Sequence, residues 1–139
     1  MVMRAARAVC PSLTCGALHA RCRDTAGMDL TAATTLVVTD GMPYNPRRRR
    51  DNNVFHIERD RAVIARVAAL LSDIGDEEYS WMEWPTASLT FLEGRESLVS
   101  YGILWGGVWV RTPGNGDCTL RSTELSEWLR AVGVHTGAD

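Results

Sequence analysis

Ser88-Leu-Thr-Phe-Leu-Glu-Gly-Arg-Glu-Ser-Leu-Val-Ser-Tyr-Gly-Ile-Leu-Trp-Gly-Gly-Val-Trp-Val-Arg-Thr112 decides the fold of this chain. It reads as three strands, 88–92, 97–105 and 108–112, joined by tight turns at Glu93-Gly94-Arg95-Glu96 and at Gly106-Gly107. A Gly-Gly pair between apolar runs is a hairpin signal, because a type I′ turn needs positive φ at both central residues. Trp105 and Val108 are expected to face each other across it. In the middle strand Val99, Tyr101, Ile103 and Trp105 share one face, and that face is expected to pack on helices. Gly102 on the other face marks a bulge or a close approach.

Two helices supply the cover. Asp60 is a good N-cap. After it Val63, Ile64, Val67, Leu70, Leu71 and Ile74 repeat with helical spacing, which predicts a helix over 61–73 with Gly75 as its stop. Near the end, Leu125, Trp128, Leu129 and Val132 predict a second helix over 123–132, capped by Ser122 and ended by Gly133. Upstream, Thr34-Thr-Leu-Val-Val-Thr and Val54-Phe-His-Ile-Glu read as two strands that pair across a long polar loop. Asp76 to Tyr79 reads as an acidic linker, and Tyr79 to Trp84 as a strand or edge segment stopped by Pro85. The expected fold is α+β: a small, mainly antiparallel sheet with both helices on one face.

Composition bounds the rest. The 139 residues are 45% hydrophobic with a net charge of −2, which fits one globular domain with a modest core. All 15 basic residues are arginine. Residues 1–23 carry four arginines and no acid, whereas residues 51–139 carry seven arginines against 14 acids. Residues 1–30 show no helical or strand period. They read as a disordered leader or an over-extended start, leaving a single domain over 31–139. No apolar run is long enough to cross a bilayer as a helix, so no membrane partner is expected.

Asp40-Gly-Met-Pro-Tyr-Asn, the meander, and Leu125-Ser-Glu-Trp-Leu-Arg-Ala-Val-Gly-Val resemble a group of small uncharacterised proteins of high-GC bacteria. The likeness covers roughly residues 34–134. It implies an α+β fold and a bacterial origin, and it brings no activity.

No stretch spells out a catalytic or cofactor motif, so no catalytic residue and no cofactor is expected, and an enzyme is the less favoured reading. Cys10, Cys15, His19 and Cys22 are zinc-ligating types, but their spacing matches no usual pair-and-pair arrangement, so no metal is expected. Cys118 stands alone, and a reducing, cytoplasmic setting is the simpler reading. His56 on the second strand is more often hydrogen-bonded than catalytic.

Two surfaces remain. Trp105 and Trp109 flank the Gly-Gly turn, with Glu93 and Glu96 at the opposite turn of the middle strand. Aromatic anchors inside a polar rim are the usual make-up of a protein interface. The expected function is therefore a non-enzymatic interaction protein that binds a protein partner, in an accessory or immunity-like role. The alternative is a nucleic-acid-associated protein, or one gripping an acidic partner, through Arg47, Arg48, Arg49 and Arg50. Four charges on an otherwise acidic domain make a poor footprint for a polyanion, which ranks it second.

Overall fold

The computed structural model describes residues 29–48, 53–79, 81–114 and 116–134. Residues 1–28 of the expected leader, Arg49, Arg50 and His135 lie outside them, whereas Leu30, at the end of that leader, is buried in the core. The described residues form seven strands and two helices. In chain order these are β1 (Thr35–Asp40), β2 (Val54–Glu58), α1 (Arg61–Ser72), β3 (Ile74–Tyr79), β4 (Ala87–Glu93), β5 (Glu96–Leu104), β6 (Trp109–Arg111), β7 (Asp117–Leu120) and α2 (Glu124–Ala131). The strands make one antiparallel sheet, ordered β2-β1-β4-β5-β6-β7-β3. The fold is α+β, as the periodicities predict.

Alternation along the strands sorts the core. Leu36 and Val38 of β1, Leu89 and Phe91 of β4, and Val99, Tyr101 and Ile103 of β5 join one buried cluster with both helices. From α1 that cluster takes Ile64, Val67, Leu70 and Leu71, and from α2 Leu125 and Leu129. Each such side chain contributes about 1.5–3 kcal/mol of burial, which far outweighs local propensity. The Asp60 carboxylate caps α1 by accepting from the Ala62 and Val63 amides at 2.9 and 3.4 Å. Ser122 Oγ accepts from the Glu124 amide at 3.0 Å, so the hydroxyl expected to cap α2 does so, although Thr123 occupies the cap position itself.

Several expectations are corrected. The meander strands run 87–93, 96–104 and 109–111, and the second hairpin closes at Leu104 opposite Trp109. Its loop is Trp105–Val108, with positive φ at Trp105, Gly106 and Gly107. Trp105 therefore leaves the strand before its side chain can join the helix-facing row, and it is 47% exposed. Gly107 needs its hydrogen for a second reason: a Cβ there would sit 2.6 Å from Ser126 Oγ of α2.

The segment read as an acidic linker is strand β3, and Gly75 lies inside it rather than ending α1. Strand β7, which β3 pairs with, carries no alternating apolar pattern and was not expected. Trp128 is only partly buried and packs at the margin of the core, with Leu125 and Leu129 inside. Cys118 is not alone: it is buried on β7 and disulfide-bonded, and the other three cysteines lie outside the described residues.

Candidate functional site

Among the described residues, both helices pack on one face of the sheet and none on the second. The second face carries Thr39, Ser88 and Thr90, all fully or nearly fully buried, and none of them is idle. Thr39 Oγ1 donates to the Met42 carbonyl at 2.6 Å, and Ser88 Oγ to the Gly41 carbonyl at 3.2 Å. The Tyr44 amide donates to Thr90 Oγ1 at 3.1 Å. These buried hydroxyls hold the loop after β1 flat against the sheet, since a buried polar group is tolerated only when it is hydrogen-bonded.

Beside that loop lies a strap, residues 81–86. Its anchor is the pair of Arg111 on β6 and Asp117 on β7, which are register partners. Arg111 Nε donates to Asp117 Oδ1 at 2.8 Å, and its Nη2 donates to Oδ2 at 3.0 Å, a two-pronged pair. The remaining donors reach the strap: Nη2 to the Trp81 carbonyl at 2.8 Å and Nη1 to the Glu83 carbonyl at 3.0 Å. Asp117 Oδ2 in turn accepts from the Trp81 amide at 2.9 Å. The hydrogen bonds that it donates to Asp117 hold the Arg111 guanidinium above its ordinary pKa, so it stays charged. Pro85 then lies over Gly102, where a Cβ would meet Pro85 Cγ at 2.8 Å. That is the close approach the glycine in β5 signals.

The strap delivers aromatic side chains to one end of the sheet. The Trp81 ring is the hub, with centroids 4.6 Å from Tyr79, 5.6 Å from Trp105 and 5.5 Å from Trp109. The last two contacts are edge-to-face, the geometry favoured by the ring quadrupole. The strap and its neighbours also expose large apolar side chains: Trp84, which lines a cleft with Met42, Pro43 and Pro85, is 79% exposed, Met82 98% and Tyr79 54%, with Val108 also exposed. Trp81 Nε1 is buried without an acceptor among the described residues.

The expected site residues divide between two places. Trp105 and Trp109 belong to the aromatic surface, Trp105 as an exposed member and Trp109 half-buried beneath Trp81. Glu93 and Glu96 face each other across the β4–β5 turn, at the far end of β5. At about 3.3 Å per residue, that turn lies roughly 26 Å from the tryptophans. The acids next to the aromatic surface are instead Glu77 and Glu78 of β3 and Glu83 of the strap. Arg47 and Arg48 lie in the loop after β1, and Arg47 lines a cleft with Arg95 and Glu96 of the β4–β5 turn. Trp81 and Trp84 fall in the segment expected as a strand or edge, outside the expected site. The available signal was Trp-x-x-Trp-Pro, a turn-forming segment with two large aromatics and no alternation.

His56 stays structural: Nε2 lies 3.0 Å from Glu58 Oε1 and its ring stacks edge-on against Trp128 at 5.8 Å. Among the described residues no three His, Cys, Asp or Glu side chains group as a metal site, and no helix is long and apolar enough to cross a membrane. No protein-family model, curated protein or solved structure matches the chain.

Proposed function

We propose that this protein is a non-enzymatic interaction module that binds a protein partner through the exposed apolar side chains of the strap and its neighbours, Tyr79, Met82, Trp84 and Trp105. The observation that carries this reading is the exposure of large apolar side chains on a strap held in place by Arg111 and the buried Asp117. Exposed apolar area of this kind marks interaction sites, and tryptophan is the residue most enriched at binding hot spots. Holding the backbone beforehand lowers the ordering cost that a partner would otherwise meet. An accessory or immunity-like role fits a small acidic module of this kind.

The test is retention by the immobilised chain, followed by reconstitution with the purified partner. A partner retained by the wild type and lost with Trp84→Ala, while Arg130→Ser on α2 still retains it, supports the reading. Equal retention by Trp84→Ala and Trp105→Ala overturns it. The cytoplasm is the setting expected from the sequence, and the Cys118 disulfide weighs against it, because a reducing compartment keeps thiols open. The redox state of Cys118 in the native cell decides the compartment.

A further inference from the structure

The arginines of this chain divide by partner. Arg66, Arg111 and Arg121 are each paired with an acid. Arg47, Arg59 and Arg95 form no ion pair among the described residues. Those three come from separate stretches, the loop after β1, the link from β2 to α1, and the β4–β5 turn, yet they converge. Arg47 and Arg95 line one cleft of about 450 Å³ with Tyr44, Glu96, Ser97 and Ser100. A smaller cleft of about 140 Å³ shares Tyr44 and Arg95 and adds Arg59.

This cleft is built rather than incidental. Its wall is the loop that Thr39, Ser88 and Thr90 tie to the sheet, and the Asn45 side chain accepts from the Arg47 amide at 2.9 Å. Ser100, on its floor, shares a hydrogen bond of 2.9 Å with Thr90. Gathering like charges is unfavourable, and here two arginines share a cleft that holds one acid, Glu96, with which neither forms an ion pair. An anion between Arg47 and Arg95 removes that repulsion. Guanidinium forks match phosphate oxygens two at a time, and serine hydroxyls complete such a shell.

We propose that the Arg47–Arg95 cleft binds the phosphate group of a small phosphorylated molecule. Its volume lies in the range of small-ligand sites, about 300–1,000 Å³. Glu96 in the wall disfavours a continuous polyanion and suits a ligand that carries one phosphate and a hydroxyl or amine donor. The site is separate from the aromatic surface, so neither proposal depends on the other.

Calorimetric titration of the full chain tests it, with glucose 6-phosphate and adenosine 5′-monophosphate as probes and with inorganic phosphate, glucose and adenosine beside them. At least one phosphate monoester is expected to bind saturably, with its neutral counterpart silent. Arg95→Ser and Arg47→Ser are each expected to weaken binding about tenfold or more, the scale of a lost charge-assisted contact. Arg130→Ser on α2 is expected to bind as the wild type does. Both cleft arginines are exposed, so circular dichroism is expected to show folded variants. Silence of every phosphate probe at millimolar concentration overturns the proposal, as does unchanged binding by both variants. Tight binding of a single-stranded oligonucleotide or an acidic peptide, with the monoesters silent, replaces it.

Discussion

Arg111 and Asp117 face each other across β6 and β7, and their pairing holds the strap that carries Trp81 and Trp84. Asp117 is 1% exposed, so its charge is out of water and depends on the guanidinium beside it. The same guanidinium satisfies the Trp81 and Glu83 carbonyls. One pair thus joins two neighbouring strands and holds the strap.

Arg111→Ala is expected to destabilise the protein by about 3–5 kcal/mol, the cost of leaving the buried Asp117 carboxylate without its counter-charge. Replacing both residues, as in Arg111→Met with Asp117→Leu, is expected to recover part of that loss in stability while releasing the strap. Urea unfolding gives the stability, and tryptophan fluorescence of the folded double variant reports the strap. A double variant with native fluorescence would show that the strap holds without the pair.

Trp84→Ala and Trp105→Ala are expected to cost little stability, about 0.5 kcal/mol for the highly exposed Trp84. For partner binding the expected loss is about 2 kcal/mol or more, the scale of a hot spot. Trp109→Ala is a poorer probe, because the ring is half-buried under Trp81 and its loss mixes folding with binding. Thermal melts run beside binding curves separate the two effects. A large drop in stability for Trp84→Ala would place its ring inside the fold.

In α2, Leu129→Ala is expected to cost about 2–5 kcal/mol, as deletions from a filled core do. Trp128→Ala is expected to cost less, about 1–2 kcal/mol, since the ring lies at the margin of the core beside His56. Chemical denaturation of the two variants ranks them. The reverse order would mean that α2 lies with another side inward.

Gly107→Ala is expected to destabilise by about 1–3 kcal/mol, through positive φ and the collision with Ser126 Oγ together. Gly94→Ala shares the positive φ but has open space around it, so its expected cost is smaller, about 1 kcal/mol. Melting temperatures of the two compare strain alone with strain plus contact.

The Arg66–Glu124 pair joins α1 to α2 and sets a small pH dependence. Hydrogen bonding from Arg66 holds the Glu124 carboxyl below its ordinary range. The folded state therefore gains from this pair at neutral pH and loses that gain as pH falls through the lowered value. Both groups are exposed, so salt is expected to weaken the effect. Glu124→Gln should flatten the acid limb slightly in low-salt urea titrations, and an unchanged acid limb would show that the pair adds nothing.

Local periodicity alone determined the two helices, the β4–β5–β6 meander and the early β1–β2 pair. Caps and apolar spacing are local signals, and Asp60 with Ile64, Val67 and Leu71 speaks for α1 without any distant contact. Strands β3 and β7 were not legible, because an edge strand such as Ile-Gly-Asp-Glu-Glu-Tyr owes its form to the backbone ladder and not to an apolar face. The insertion of β1 between β2 and β4 was equally silent, since pairing across some fifty residues leaves no local mark. Glycine at position 102 announced a close approach but not that Pro85 makes it. The candidate sites followed the same division. Tryptophans and arginines were visible as types. Only the tertiary structure decided that Trp81 gathers Tyr79, Trp105 and Trp109, and that Arg47 and Arg95 line one cleft. The physical reason is that both groupings are set by what the second sheet face can hydrogen-bond: buried hydroxyls for the loop, and the Arg111–Asp117 pair for the strap.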